Sequence, residues 1–244
     1  MEPSIKKEPI GEGREIFVSP HHNFGTDAIL LANFSNAKPS DSYVDLGTGC
    51  GIIPFLILRG KTLKAAFGVD ISAEAIDLAQ KTKEEWGIDC FTPVCSDLKD
   101  LKGKVENGCH TLVTCNPPYK APNAGLKNPD AVIMTARHET ACNLEDIISV
   151  SARLLQTGGR LCMCHRPERA AELLSLMRQY KIEPKRLRLV CQRQNEEPWL
   201  ILVEGKRCAN TGLRIAPTLY VEDENGNFSK EMIEIYGSYK EEHL

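Results

Sequence analysis

Short apolar segments alternate with helical patterns along most of the chain. Apolar runs that end in polar or glycine residues predict strands over 42–46, 65–70, 90–95, 110–115 and 160–165. Apolar residues at helical spacing predict helices over 52–58, 72–86, 143–156 and 167–180. Two further runs, 187–191 and 199–204, predict an antiparallel pair at the sheet edge. This alternation predicts an α/β fold with a doubly wound, mostly parallel sheet.

The tetrapeptide Asn116-Pro117-Pro118-Tyr119 follows the predicted strand over 110–115. In open α/β sheets, ligands bind outside the carboxyl ends of the strands. The two prolines fix the backbone and keep the preceding residues out of the helical region. Such a stiff loop suits a planar group that donates hydrogen bonds and stacks by its face. Taken alone, the tetrapeptide is equally compatible with an ordinary proline-rich turn.

Glycines stand at every second position, Gly47, Gly49 and Gly51, after the predicted strand that contains Asp45. The loop between that strand and the next helix allows a ligand to approach the backbone closely. A dinucleotide fingerprint would require glycine at position 52, where the chain has Ile52. The negative charge of Asp45 disfavours a pyrophosphate and favours a ligand with an ammonium group. The pattern therefore favours a zwitterionic amino-acid cofactor over a nicotinamide dinucleotide.

Two more acids lie at the ends of the following predicted strands. Asp70 comes 19 residues after Gly51, near the spacing at which a carboxylate binds ribose hydroxyls. Asp97 can accept a hydrogen bond from an adenine amino group. Each acid alone is more simply a loop or capping residue. Together with the glycine loop, the three acids indicate one cofactor site.

These motifs resemble, in order, those of class I S-adenosylmethionine-dependent methyltransferases with a Rossmann-like fold. The resemblance implies a mostly parallel seven-stranded sheet with an antiparallel edge strand. The Asn-Pro-Pro-Tyr tetrapeptide resembles the branch that methylates amino or amide nitrogens. More narrowly, the segments 17–31 and 136–139 resemble the bacterial tRNA1(Val) (adenine37-N6)-methyltransferase family. This resemblance implies S-adenosylmethionine as cofactor and a tRNA adenine as substrate, with A37 as the position.

The resemblance also implies roles for individual residues. The residues implied as catalytic are Asn116, Pro117 and Tyr119. The residues implied to bind the cofactor are Thr26, Asp45, Gly47, Thr48, Gly49, Gly51, Asp70, Ile71, Asp97, Leu98 and Asn116. Those implied to contact the substrate are Pro118, Tyr119, Arg137 and His138, although a structural role for His138 is at least as plausible.

Three alternatives remain open at this point. Release-factor glutamine methyltransferases share the tetrapeptide but carry a larger N-terminal helical domain than the roughly 40 residues that precede the first core strand here. A DNA-adenine enzyme would need a target-recognition domain, and none is recognisable. A non-catalytic RNA-binding module would be expected to have lost the glycine loop or the tetrapeptide, and both are intact.

Composition narrows the class of protein. A hydrophobic content of 42% over 244 residues can supply a sizeable core. The sequence has no apolar stretch of transmembrane length, and its charged N-terminus lacks a signal core. Ten scattered cysteines without a Cys-x-x-Cys pair predict reduced thiols, no zinc site and a cytoplasmic location. We expect no metal and no membrane partner, and a monomer is favoured.

Charge is distributed unevenly along the chain. The basic run, residues 153–193, has ten basic residues against three acids, a balance of +7. The acidic tail, residues 221–244, has seven acids against two lysines, a balance of −5. The basic run could form a phosphate-binding face or an ordinary solvated helix face.

We predict an N-terminal extension and cofactor lid over 1–40, a methyltransferase domain over 41–220, and a functional or mobile loop over 120–141.

Overall fold

The computed structural model describes residues 5–117 and 143–237. The strands are β1 (Lys6–Gly11), β2 (Arg14–Val18), β3 (Ser42–Leu46), β4 (Ala65–Asp70), β5 (Phe91–Cys95), β6 (His110–Cys115), β7 (Leu155–His165), β8 (Ile182–Cys191), β9 (Leu200–Arg207), β10 (Arg214–Ile215) and β11 (Leu219–Tyr220). The helices are α1 (Thr26–Ser35), α2 (Ile52–Leu58), α3 (Ala73–Trp86), α4 (Leu144–Leu154), α5 (Ala170–Gln179) and α6 (Lys230–Tyr236), with a 3-10 turn at Pro167–Arg169.

The main sheet has the strand order β5-β4-β3-β6-β7-β9-β8, and the short strands β10 and β11 both pair with β8. Strands β3 to β7 run parallel, whereas β9 is antiparallel to both of its neighbours. The predicted doubly wound sheet and its antiparallel closing pair, β8 and β9, are confirmed. Over the described residues the sheet has nine strands and not the seven predicted, because β10 and β11 also pair with β8. The antiparallel strand β9 therefore lies inside the sheet and not at its edge. Because the chain winds outwards from β3 to β5 and returns at β6, the topological switch point lies between β3 and β6.

Helices cover both faces of this sheet, and alternate strand residues enter two separate cores. Helices α1, α2, α3 and α6 and the β1–β2 hairpin pack on one face, while α4 and α5 pack on the other. On β7, Cys162 and Cys164 join the first core and Met163 joins the second. Successive side chains of a strand point to opposite faces of the sheet, and these three residues follow that alternation. Among the described residues, no helix is both long enough and apolar enough to span a membrane.

Two strands begin earlier than the sequence pattern predicts. β7 starts at residue 155 because Gly158, with φ +80°, and Gly159 let an irregular strand pass close to β6. A Cβ atom on Gly159 would lie 2.8 Å from the carbonyl oxygen of His110. β8 starts at residue 182, since a register shift between Pro184 and Arg186 accommodates the missing N–H of the proline. Irregularities of this kind hide the strand pattern in the sequence.

Both ends of the described chain pack onto the core. β1 and β2 form a hairpin whose turn residues, Glu12 and Gly13, both have positive φ, as a tight type I′ turn requires. Ile10 and Ile16 of this hairpin are fully buried. At the other end, Met232 of α6 is also fully buried. The described part of the acidic tail therefore folds as part of the domain.

Opposite charges along the chain pair with each other in the fold. The two terminal nitrogens of the Arg188 guanidinium, Nη1 and Nη2, each donate to one carboxylate oxygen of Glu231 at 2.6 Å. Arg193 forms an ion pair with Glu222. These contacts join the basic run to the acidic tail. Among the described residues, at least six of the ten basic residues of the run form ion pairs: Arg160, Arg169, Arg178, Arg186, Arg188 and Arg193. Arg160, Arg186 and Arg188 are largely covered in these pairs. Arg169, Arg178 and Arg193 remain about half exposed or more. The ion pairs therefore engage part of the basic run within the fold, and a phosphate-binding face stays a prediction.

Candidate active site

The glycine loop after β3 has a backbone that only glycine adopts readily. Gly47, Gly49 and Gly51 have φ values of +71°, +55° and +85°. A Cβ atom on Gly51 would lie 2.7 Å from the ring of Phe55, in the first turns of α2. The N–H groups of Gly47 and Thr48 both donate to the carbonyl oxygen of Val69 on β4, at 2.9 Å. The loop is therefore anchored to the neighbouring strand and lies directly against the start of α2.

Asp45 lies beneath this loop and is fully buried. The hydroxyl of Thr114, on the neighbouring strand β6, donates to its Oδ1 atom. Its Oδ2 atom has no hydrogen-bond partner among the described residues. Burial raises the pKa of Asp45 to about 7, and the Thr114 hydrogen bond opposes part of that rise. A cation beside the loop would lower this pKa through its charge, so the site suits a ligand with an ammonium group.

Asp70 ends β4 and supports the glycine loop from the side. Its Oδ2 atom accepts the N–H of Gly49 at 2.8 Å, and its Oδ1 atom accepts the N–H of Ser72 at 2.9 Å. Each carboxylate oxygen retains a lone pair for a ligand hydroxyl. The next residue, Ile71, is 49% exposed and offers apolar surface beside Asp70. The ribose-binding role of Asp70 stays a prediction that this geometry permits.

Asp97 and Leu98 follow β5, next to the end of β4. The N–H of Ser96 donates to the carbonyl oxygen of Asp70 at 2.8 Å and joins the two strand ends. Asp97 accepts the N–H of Lys99 at 2.8 Å, whereas Leu98 is half-buried against the second core. The predicted adenine contact of Asp97 is not tested by these bonds.

Asn116 and Pro117 follow β6, across the switch point from the glycine loop. The Nδ2 group of Asn116 donates to Oδ2 of Asp27 at 3.1 Å. Its Oδ1 atom accepts the thiol hydrogen of Cys164 at 3.0 Å. Pro117 is buried. The predicted residues Pro118, Tyr119, Arg137 and His138, with the segment 136–139, lie outside the described residues.

The segment 17–31, expected beside the cofactor, connects several parts of this site. His22 shares a hydrogen bond of 3.0 Å with Ser72, the residue that caps α3. Thr26 begins α1, and its hydroxyl lies 3.1 Å from the hydroxyl of Tyr236 on α6. The structure therefore brings this segment to the end of β4 and, through Asp27, to Asn116.

Three residues of the site, Asp27, Thr114 and Cys164, have no role predicted from the sequence. Asp27 lies within the segment 17–31, and its acidic type in the first turn of a helix is the available signal. Thr114 and Cys164 carry no such signal, because their partners come from other strands. No group of three metal-binding side chains occurs among residues 5–117 and 143–237.

Comparison with known proteins agrees with this architecture. The family model described as methyltransferase small domain matches residues 12–182. A Porphyromonas gingivalis protein named tRNA1(Val) (adenine(37)-N6)-methyltransferase is 28% identical over 221 residues, which cover 86% of each chain. A Parabacteroides distasonis protein of the same name is 26% identical over 186 residues, or 74% of this chain and 75% of the relative.

Solved structures support the fold. A protein from Agrobacterium tumefaciens described as a predicted O-methyltransferase superposes with a TM-score of 0.70 at 18% identity, covering 88% of this chain and 97% of its own. A geranyl diphosphate methyltransferase, solved in complex with SAM (S-adenosylmethionine), gives a TM-score of 0.54 at 16% identity, over 74% of this chain and 84% of its own. The fold is that of the Rossmann-like class I methyltransferases, and this chain belongs to the methyltransferase small domain family.

Proposed function

We propose that this protein transfers a methyl group from S-adenosylmethionine to the exocyclic N6 nitrogen of an adenine in tRNA. We further propose A37 of tRNA1(Val) as the target. The relatives that carry this activity in their names align over most of their length and most of this chain. The observation that carries the proposal is that Asp45, on β3, and Asn116, directly after the neighbouring strand β6, lie at the switch point of the sheet.

The residues present fit the proposed cofactor. Asp45 supplies a buried carboxylate beneath a loop whose glycines let a ligand reach the backbone, and one of its oxygens has no hydrogen-bond partner among the described residues. Bound there, S-adenosylmethionine supplies an electrophilic methyl group on a sulfonium. The residues that would hold it are Thr26, Asp45, Gly47, Thr48, Gly49, Gly51, Asp70, Ile71, Asp97, Leu98 and Asn116.

The chain's contribution to the reaction is to orient the target nitrogen. An adenine amino group is a poor nucleophile because its lone pair is delocalised into the ring. We infer that Asn116 Oδ1 and the Pro117 carbonyl accept its two N–H groups, which favours a tetrahedral nitrogen. Positioning of this kind supplies much of the acceleration when two reactants are held in line. The proton can leave after transfer, so the mechanism needs no catalytic base.

Two further contributions follow from the sequence. Tyr119 would stack on the base, an interaction that contributes about 1–3 kcal/mol in single-stranded complexes. A base in a tRNA loop is also less costly to unstack than one in a duplex.

A cytoplasmic location fits such a substrate, and the nine described cysteines are free thiols.

The test is incubation of the purified protein with methyl-labelled S-adenosylmethionine and unmodified total tRNA, followed by nucleoside mass spectrometry. We expect the label in N6-methyladenosine. Label confined to protein would indicate a glutamine methyltransferase instead. Label in another nucleoside, or in none, would contradict the proposed reaction.

A further inference from the structure

The amide of Asn116 can fulfil its proposed role in only one of its two orientations. The oxygen must face the target amino group, because that group donates two hydrogen bonds. If the amide turned over, its own N–H₂ group would face another donor. An enzyme of this kind therefore needs a device that fixes the amide.

Asp27 has the chemistry and the position to do this. A carboxylate only accepts hydrogen bonds, so the amide nitrogen of Asn116 must be the atom that faces it at 3.1 Å. The carboxylate is itself held, since its other oxygen accepts the N–H of Ala28 at 3.0 Å in the first turn of α1. Both carboxylate oxygens thus have backbone or amide donors, and the side chain has a defined direction.

Gly25 makes room for this carboxylate. A Cβ atom at position 25 would lie 2.9 Å from Oδ1 of Asp27, closer than Cβ atoms normally approach another atom. The backbone of Gly25, with φ −119° and ψ −179°, is one that any residue adopts. A side chain at position 25 would therefore displace the Asp27 carboxylate, although the backbone conformation itself would allow it.

Cys164 completes the arrangement on the opposite side. Its thiol donates to Asn116 Oδ1 at 3.0 Å, and burial raises the pKa of Cys164 well above its usual range, so the thiol keeps its proton. A thiol is a weak donor and uses one lone pair of the amide oxygen. The second lone pair remains for the substrate.

We propose that Asp27 is a positioning residue that fixes the amide of Asn116 with its oxygen directed at the incoming amino group. This inference rests on the proposed function, because it assigns a purpose to the orientation of Asn116. It adds to the reaction a residue from α1, far from Asn116 in sequence.

The first variant is Asp27→Asn, which keeps the shape but allows either amide orientation. We expect kcat for tRNA methylation to fall about 10- to 100-fold, the loss typical of one charge-assisted hydrogen bond. KM for tRNA and the affinity for S-adenosylmethionine should stay within about twofold. Asp77→Asn makes the same chemical change on the exposed face of α3 and should leave kcat unchanged.

The double variant Asp27→Asn/Asn116→Asp restores the pair in reverse. The amide introduced at position 27 donates to the carboxylate introduced at position 116, whose second oxygen accepts from the substrate. Asn116→Asp alone places two carboxylates face to face. We therefore expect the double variant to be more active than either single variant. Strictly multiplicative losses, or Asp27→Asn turnover within twofold of wild type, would overturn the inference.

Two measurements separate this inference from the proposed function and from misfolding. The proposed function itself fails if the wild-type protein does not methylate tRNA. Asn116→Ala should abolish methylation; if it does not, the roles of Asn116 and Asp27 both fail while the function stands. If Asn116→Ala is inactive but Asp27→Asn is normal, only the role of Asp27 fails. Gly25→Ala displaces the carboxylate without changing it and should reproduce the kcat loss at an unchanged midpoint of thermal unfolding. Normal kcat in Gly25→Ala would also count against the role of Asp27.

Discussion

Asp45 is completely buried, has a pKa of about 7, and has one oxygen with no hydrogen-bond partner in the part of the chain that the structure describes. An acid whose pKa is higher in the fold than in the unfolded chain stabilises the fold when protonated. Its contribution is present below the unfolded value of 3.8 and is lost as the pH rises through about 7. Above pH 7 the ligand-free protein therefore contains a buried charge that a cationic ligand would compensate.

This coupling predicts a pH-dependent affinity for S-adenosylmethionine. We expect affinity to weaken several-fold between pH 7 and pH 5.5, because binding must then displace the proton of Asp45. Displacement of one proton can weaken the affinity by at most about tenfold per pH unit. Titration calorimetry at each pH measures the affinity directly. The same titration in two buffers of different ionisation enthalpy should reveal proton release.

Asp45→Asn provides the control for that prediction. The amide has a similar shape and does not titrate, so its affinity should be weaker than that of the wild type at pH 7 and nearly constant down to pH 5.5. A wild-type affinity that does not change over this range would show that no cation is bound near Asp45.

Single residues of the site differ in how far the sequence predicts them. Gly47, Gly49 and Gly51 are predictable because a loop between a strand and a helix has a local signature. The contact between Asp27 and Asn116 is not, because 89 residues separate them and α1 must pack against β7 and β9 before the two meet.

At the level of elements, α6 shows how a segment with an acidic composition can be part of the core. Ser229 caps the helix by accepting the N–H of Met232 at 3.2 Å. Met232 and Ile235 then enter the core beside α1, while Tyr236 bonds to Thr26. The sequence does not show this apolar face clearly. The helix has only seven residues, and its acidic residues lie between the apolar ones.

Met232→Ala should therefore destabilise the domain. Met232 is fully buried, and large-to-small changes at such positions cost about 2–5 kcal/mol. Ile233→Ala, on the same helix but 51% exposed, should change the free energy of unfolding by no more than about 0.5 kcal/mol. Urea unfolding of both variants measures the difference. Equal effects of the two changes would indicate that α6 is not packed on the core.

For the whole molecule, local patterns predict the doubly wound sheet and the glycine loop. These patterns do not predict which charged residues, far apart in the sequence, form ion pairs with each other. The sequence left the basic run open as a phosphate-binding face or a solvated helix face. In the fold, Arg188 and Arg193 pair with acids about 30 to 40 residues further along the chain. Such pairs form only when β8, β11 and α6 come together, so the sequence balance of +7 overstates the charge available to a nucleic acid.

The proposed reaction of this methyltransferase is the methylation of N6 of one adenine in tRNA. The most direct test uses unmodified tRNA1(Val) transcripts with A or G at position 37, each incubated with the purified protein and S-adenosylmethionine. Digestion and mass spectrometry then locate the methyl group. We predict one N6-methyladenosine per transcript at A37 and none in the transcript with G37. Methylation of both transcripts, or of neither, would contradict the account.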